Sequence, residues 1–227
     1  MSSRVIRPFR TAVLLGSIAL AACGDTGSLT VGTVGDSDAA SVRFVNATGS
    51  NLDLARDGVV TNPNITPGAT VGCLAVDAAA PNITVRVTGT TTDLSGFPAS
   101  FTTGGRATVV AYIGPSSTIQ FISIPLTFTP LADQSGLRVF NGSAALASVD
   151  VYATVPSAVL GTPNVFSLVF GAASTSFNLT AGSTQVRLTT AGTTNIVYDA
   201  GTQVLAAGTS YTLVVSSATP AILVPDC

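Results

Sequence analysis

Apolar and polar residues alternate in short runs along most of the chain. From Ser41 onward the runs are rich in Val, Ile, Thr, Phe and Tyr, and Gly, Pro, Asn or Asp interrupts them at intervals of about eight to twelve residues. No stretch keeps the helical period of about 3.6 residues, so the pattern predicts an all-β protein. The predicted strands cover residues 42–46, 52–56, 70–76, 83–88, 107–113, 118–124, 137–141, 149–153, 165–170, 184–189, 195–198, 211–216 and 221–224.

Two halves of this strand pattern resemble each other in order and content. The run VRFVN at 42–46 matches LRVFN at 137–141, and three further runs match in the same order. We interpret this as a tandem duplication of a unit of about ninety residues, which is enough for one two-layer core. The expected fold is therefore two tandem antiparallel β-sandwiches of immunoglobulin or transthyretin type, at 41–124 and 136–227, joined by a linker at 125–135.

The N-terminal residues follow a different pattern. Three arginines precede an apolar run at 11–20, which is too short for the roughly twenty residues of a membrane-spanning helix. The run ends in Leu20-Ala-Ala-Cys23, which matches the lipobox of bacterial lipoproteins. This arrangement predicts that residues 1–22 are a signal peptide and that Cys23 carries the lipid; an ordinary secreted protein is the alternative.

The predicted anchor also implies a location. Residues 23–40 are mostly small and polar, which is typical of a flexible tether between a lipid and a folded domain. The expected location is the bacterial cell envelope, with the membrane as a partner through the lipid on Cys23. Gly24, rather than Asp, follows the lipidated residue. By the sorting rule of diderm bacteria, this favours the outer over the inner membrane.

Composition narrows the chemistry. Every basic residue is Arg and every acidic residue is Asp, while His, Lys, Glu and Trp are absent. The chain therefore cannot build a Ser-His-Asp triad, a Cys-His pair or a histidine zinc site, and we expect neither catalysis nor a cofactor or metal. Without residues 1–22, six arginines face eleven aspartates, a net charge of −5. This charge, and the lack of clustered arginines, argue against nucleic-acid binding.

Two cysteines remain once Cys23 is assigned to the lipid. Cys73 and Cys227 form an even pair in an oxidising compartment, which predicts a disulfide between them. Two separate thiols, or a bond from Cys227 to another chain, are the alternatives.

The repeat places charged residues at equivalent positions. Arg43 and Asp53 in the first unit correspond to Arg138 and Asp150 in the second. We predict structural pairs between the first two strands of each unit, Arg43 with Asp53 and Arg138 with Asp150, each contributing about 0.2–1 kcal/mol if exposed. Two equivalent arginine sites for an anionic ligand are the functional alternative.

The openings of both units carry a family resemblance. VRFVNAT followed by LDL, and LRVFNGS followed by VDVY, resemble the start of the bacterial domain of unknown function 4397 family. Both copies lack the usual Pro after Ser or Thr, and the first has Leu-Ala where the family has Val-Tyr. The resemblance implies envelope or secreted proteins, often lipoproteins, built from repeated β-sandwich units. It implies no known activity and no catalytic residues.

Two functions fit these features. The first is a non-enzymatic, membrane-anchored module that binds an unknown envelope partner or supports the envelope. The second is binding of a small ligand or glycan by loops between strands, such as 57–68 or 93–105. An exposed apolar surface favours the first function, and a concave pocket with converging polar groups favours the second.

Overall fold

The computed structural model describes residues 38–227, which form fifteen β-strands and no helix. The predicted all-β fold with two tandem sandwiches is confirmed. The strands are β1 (Ala39–Asn46), β2 (Leu52–Arg56), β3 (Val59–Ile65), β4 (Thr70–Asp77), β5 (Ile83–Val87), β6 (Arg106–Ile113), β7 (Ile119–Pro125), β8 (Gln134–Gly142), β9 (Ser148–Thr154), β10 (Val165–Val169), β11 (Phe177–Thr180), β12 (Gly182–Thr190), β13 (Ile196–Leu205), β14 (Ser210–Ser216) and β15 (Ile222–Pro225).

The first sandwich consists of one four-stranded and one three-stranded sheet. Their strand orders are β4-β1-β6-β7 and β3-β2-β5. Strands β1 and β6 run parallel, and the other neighbours are antiparallel. Because side chains alternate between the faces of a strand, Val42 and Phe44 of β1 point inward, where they pack against Leu52, Leu54 and Val85 of the opposite sheet.

The second sandwich repeats this plan. Its strand orders are β11-β8-β14-β15 and β10-β9-β12-β13, and β8 and β14 are the parallel pair. Each strand of the first sandwich has a counterpart in the second, whereas β13 has none in the first. In both sandwiches the first strand lies in a different sheet from the second strand, so the order differs from the immunoglobulin one, in which they share a sheet.

The two sandwiches also share a core. The faces of β1 and β6 that point away from the first core pack against the corresponding faces of β8 and β14. Phe140 lies at the centre of this contact, and its ring packs edge-on against Tyr112, with a centroid distance of 5.1 Å. The two sheets that meet here, β4-β1-β6-β7 and β11-β8-β14-β15, therefore have apolar residues on both faces, as expected for sheets that are covered on both sides.

The observed strands differ from the predicted ones at several places. Strands β3 and β11 were not predicted, and β13 continues to Leu205, beyond the predicted end at residue 198. The last two residues of the predicted tether, 39 and 40, belong to β1. Strand β7 ends at Pro125 and β8 begins at Gln134, so the segment between the sandwiches is 126–133.

Candidate functional site

The N-terminal predictions lie outside the described residues. They are the signal peptide at 1–22, the lipidation site Cys23 and the tether up to residue 37. Between residues 38 and 227, no helix is long and apolar enough to cross a membrane. The same part of the chain contains no group of three or more His, Cys, Asp or Glu side chains that could hold a metal ion.

The predicted disulfide between Cys73 and Cys227 is present. Cys73 lies on β4, an edge strand of the first sandwich, and Cys227 follows β15 of the second. Their Cα atoms are 5.6 Å apart, although 154 positions separate them in the sequence. The bond therefore joins the two sandwiches covalently.

The predicted pairs of Arg43 with Asp53 and of Arg138 with Asp150 are wrong. Strands β1 and β2 lie in opposite sheets of the first sandwich, as β8 and β9 do in the second, so neither arginine lies beside its predicted partner. Instead, Arg138 pairs with Asp226 at 3.1 Å across a buried site, where the two side chains are 6% and 7% exposed.

Asp53 and Asp150 instead hold equivalent kinks in the neighbouring edge strands. Asp53 accepts a hydrogen bond from the backbone N–H of Asn64 at 2.7 Å, and Asp150 accepts one from Ser167 at 2.7 Å. Asn64 and Ser167 both have a positive φ, 55° and 50°, and the strand register shifts beside each of them. Each aspartate therefore stabilises a β-bulge that twists an edge strand.

Hydrogen bonding changes the acidity of Asp53. The Asn64 N–H, followed by the hydroxyl of Thr88, lowers the pKa of this carboxyl below its ordinary value, and the charge of Arg86 contributes less. Arg86 is the cross-strand partner of Asp53 on β5 and also forms an ion pair with Asp93, whose pKa it lowers. The arginine that lies near Asp53 is therefore on β5 and not on β1.

Asn46 and Asn141 are a second pair of equivalent residues, and their structural role was not predicted from the sequence. Both are fully buried, and each side-chain amide donates to two backbone carbonyls, those of Ser50 and Ile65 for Asn46. Each side-chain oxygen accepts a backbone N–H two residues further along. The signal in the sequence was the Asn that ends the repeated run in both units.

A cleft opens on the outer face of the second sandwich, beside the middle of β9. It has a volume of about 570 Å³ and lies between β9, the start of β10 and the turn before β13. Phe166 lies at the edge of the cleft and is 64% exposed, whereas Tyr152 is almost completely buried. The residues that line the cleft are Asp150, Tyr152, Pro163, Phe166, Ser167, Gly192, Thr193 and Thr194.

The loops that the sequence favoured as ligand sites have other roles. Residues 57–68 contain β3, which continues from β2 through a two-residue turn in which Asp57 and Gly58 both have positive φ, as in a type I′ hairpin. In the segment 93–105, Asp93 pairs with Arg86, and the side chains of Phe97 and Phe101 cover the first core. Neither loop lines the cleft on the second sandwich.

Exposed apolar side chains are concentrated in the second sandwich. Seven of the ten large apolar side chains that are exposed within residues 38–227 belong to it. They lie on the loop after β9 and on the two edge strands of one sheet. They are Val155, Val159, Phe166, Val169, Ile196, Val197 and Val204.

The comparison with known proteins gives one family match. No curated protein matches the chain. The model of a family described as domain of unknown function (DUF4397) matches residues 40–152. This match covers the first sandwich and continues through β8 and most of β9, so it includes both equivalent pairs, Asn46 with Asn141 and Asp53 with Asp150. The chain therefore belongs to the DUF4397 family.

Proposed function

We propose that the chain is a non-enzymatic envelope lipoprotein, anchored through a lipid on Cys23, whose sandwiches act as an interaction module. The lipobox at 20–23 and the preceding signal-peptide pattern support the anchor. The absence of His, Lys and Glu from the sequence removes the commonest catalytic bases and nucleophile activators. The bonding of the repeated Asn and Asp residues to backbone groups supports a structural role for them.

The distribution of exposed apolar side chains carries the interaction part of this proposal. On a monomeric protein, single exposed apolar residues are common, whereas an excess of them on one domain favours a contact role for that domain. Val159 is 90% exposed and Phe166 is 64% exposed, and both belong to the second sandwich. The first sandwich exposes only Val59 and Val60 of this class among the described residues. The second sandwich is thus the contact domain, and the first supports it.

Photo-crosslinking in the native envelope tests this contact surface. A benzophenone amino acid replaces Val159 or Phe166 in the second sandwich, and Thr61, an exposed residue of β3, serves as the control in the first. We expect a discrete crosslinked product from the two sites of the second sandwich and none from the control. Identical products from all three sites, or no product from the second sandwich, would contradict the proposal.

The lipid anchor has its own test. Replacing Cys23 with Ala is expected to abolish incorporation of radiolabelled fatty acid and to move the protein from the membrane to the soluble fraction. Cys73→Ala is the matched control, because it also removes one cysteine but leaves the lipobox intact. Full labelling of the Cys23→Ala protein would show that the anchor is elsewhere.

The cleft on the second sandwich supports an alternative function, binding of a small neutral ligand or glycan. An exposed aromatic ring beside hydroxyl groups suits a sugar, whose apolar face packs on the ring while its hydroxyls bind the polar groups. Phe166, Thr193 and Thr194 supply these groups here. The first sandwich has Ala55 in place of Tyr152.

Calorimetric titration with short neutral oligosaccharides tests this alternative. We expect Phe166→Ala to weaken binding, because it removes the stacking surface. Val204→Ala is the control, since Val204 is similarly exposed, at 71%, but lies outside the cleft. Heat of binding that is unchanged in Phe166→Ala would place any sugar site elsewhere.

A further inference from the structure

The disulfide between the sandwiches has an arginine beside one of its sulfur atoms. Arg43 lies on β1, next to β4, and its Nη2 donates to the Sγ of Cys73 at 3.3 Å. Its Nε is buried and has no hydrogen-bond partner within the described residues. A disulfide sulfur is a weak acceptor, so Arg43 has a poor partner for a half-buried cation.

Two buried arginines, Arg138 and Arg187, have stronger acceptors for their Nη groups, although their Nε atoms also lack a partner. Arg138, the counterpart of Arg43, binds Asp226 and the carbonyl of Pro125, and Arg187 binds the hydroxyl of Thr154 and a backbone carbonyl. The ion pairs found in residues 38–227 are Arg138 with Asp226 and Arg86 with Asp93, and neither includes Arg43. The charge of Arg43 therefore faces the sulfur and no carboxylate.

A positive charge in this position has a chemical consequence. A guanidinium beside a cysteine stabilises the thiolate relative to the thiol. In thiol–disulfide exchange, the sulfur whose thiolate is more stable leaves faster. Arg43 therefore favours cleavage in which the electron pair of the S–S bond goes to Cys73.

We propose that the Cys73–Cys227 disulfide is a thiol–disulfide exchange site at which Arg43 stabilises the departing Cys73 thiolate. The thiolate of an external thiol attacks Sγ of Cys227, a new S–S bond forms, and the bond to Cys73 breaks. A second external thiolate then attacks the external sulfur of this mixed disulfide and releases Cys227. Two thiols are oxidised to one disulfide, and the two cysteine thiolates take up protons from solvent.

The surroundings of the two sulfurs favour this direction of attack. Cys73 is exposed on an edge strand, so its thiolate can be hydrated while it stays beside Arg43. Cys227 lines an open groove of about 300 Å³ that also contains Arg106, whose positive charge attracts an incoming thiolate. Arg106 Nη1 donates to the carbonyl oxygen of Cys227 at 2.6 Å and holds this residue in place.

Reduction of the disulfide would remove one of the connections between the two sandwiches. The shared core around Phe140 and the pair of Arg138 with Asp226 do not depend on the disulfide. We therefore expect reduction to free the segment after β15 from β4, while the two sandwiches stay in contact. The exchange site thus controls how tightly this end of the second sandwich is held.

The rate of reduction by dithiothreitol tests the role of Arg43. The full chain, in detergent, is reduced at neutral pH, and differential alkylation with peptide mass spectrometry follows Cys73 and Cys227 separately from Cys23. We expect Arg43→Gln to slow reduction by about tenfold, because the leaving thiolate loses its partner. Arg43→Lys, which keeps the charge, should retain most of the rate.

Arg56→Gln is the matched control. It removes the same charge from the same sandwich, and Arg56 donates to the backbone of Ala75 on β4, two residues from Cys73, without touching the sulfur. We expect it to leave the rate unchanged. Equal rates in the original protein and in Arg43→Gln, or equal slowing in both glutamine variants, would overturn the proposal.

A second measurement uses only the original protein, so it tests the proposal even if Arg43→Gln does not fold. In the reduced protein, the pH dependence of alkylation by iodoacetamide is followed at both cysteines. We expect Cys73 to react at lower pH than Cys227, since its thiolate lies beside Arg43. Coincident profiles for the two cysteines would overturn the proposal, whether or not the protein is lipid-anchored.

Discussion

In the first sandwich, the outer face of β2 carries Asp53 and Ala55, whereas the equivalent face of β9 carries Asp150 and Tyr152. The two aspartates have the same structural role, since each accepts a hydrogen bond that stabilises a bulge in the neighbouring edge strand. The residue two positions further along differs, and only the second sandwich has the cleft with the exposed Phe166. Residues that repeat thus maintain the fold, and the differences between the copies indicate where each sandwich is specialised.

The arginines on the first strands show the same contrast. Arg138 has a buried carboxylate partner in Asp226, whereas its counterpart Arg43 contacts a sulfur. The difference arises because Asp226 and Cys227 both follow β15, at the end of the second sandwich where the two sandwiches meet. The segment after β15 thus places the carboxylate of Asp226 beside Arg138. It also forms the disulfide from Cys227 to Cys73, whose sulfur contacts Arg43. Four experiments, from the largest expected effect to the smallest, separate the shared features from the specialised ones.

Removal of the disulfide is expected to have the largest effect on stability. Cys73→Ser combined with Cys227→Ser opens a loop closed over 154 positions. Chain-entropy arguments for a loop of this size predict a loss of about 5 kcal/mol in the free energy of unfolding. Urea denaturation measures it, with Cys23→Ser present in both proteins that are compared, so that neither carries the lipid. An unchanged midpoint in the double variant would mean that the bond does not constrain the unfolded chain.

Phe140→Ala is expected to cost about 3–5 kcal/mol, because Phe140 is fully buried in the core that both sandwiches share. Its ring fills the space that a side chain at Gly142 would occupy, whereas the first sandwich has Val45 and Ala47 at these positions. Phe166→Ala, at an exposed ring, is the control and should change stability little. Since the core is shared, we expect a single unfolding transition at lower denaturant. Two separated transitions in the original protein would contradict a shared core.

Asn46→Ala and Asn141→Ala are expected to cost about 2–3 kcal/mol each, because each leaves buried carbonyl groups without a donor. The equivalence of the two sandwiches predicts similar losses, which calorimetry can compare. Asn195→Ala, at an exposed turn residue, provides the control. A large loss in only one sandwich would show that the repeated Asn is a fold determinant in that sandwich alone.

Much of the fold could be predicted from the sequence, because alternation and turn residues are local signals. Strand β3 was missed although Asp57-Gly58 is a strong hairpin signal; the strand contains Pro63 and Asn64, which are more typical of loops. Pro and a positive φ are tolerated there because β3 is an edge strand with a bulge. Strand β11, of four residues, is too short to show a clear pattern.

The site was less predictable, because it depends on which strands become neighbours. The disulfide followed from counting cysteines in an oxidising compartment, but its contact with Arg43 could not be predicted from sequence. The Arg–Asp pairs were wrong for the same reason, since the first two strands of each sandwich lie in opposite sheets. The cleft depends on the meeting of β9, β10 and a distant turn, which only the three-dimensional arrangement shows.

The pH dependence of stability is expected to give the smallest effect. The Asn64 N–H and the Thr88 hydroxyl lower the pKa of Asp53 in the folded protein below its value in the unfolded chain. A group with a lowered folded-state pKa stabilises the protein above its unfolded-state pKa, and this stabilisation is lost as the pH falls through the folded-state pKa. We therefore expect Asp53→Asn to lower the melting temperature slightly at neutral pH and to flatten its decline in acid.

Melting temperatures measured from pH 7 down to pH 2 check this expectation, with Asp57→Asn as the control at an exposed turn residue. Because Asn can still accept a hydrogen bond from Asn64, the variant removes the charge but keeps the shape of the bulge. A decline in acid as steep as that of the original protein would assign the acid sensitivity to other carboxylates, of which Asp93, held by Arg86, is the next to test. A flattened decline would show that the charge of the repeated aspartate, and not only its hydrogen bonds, stabilises the bulge.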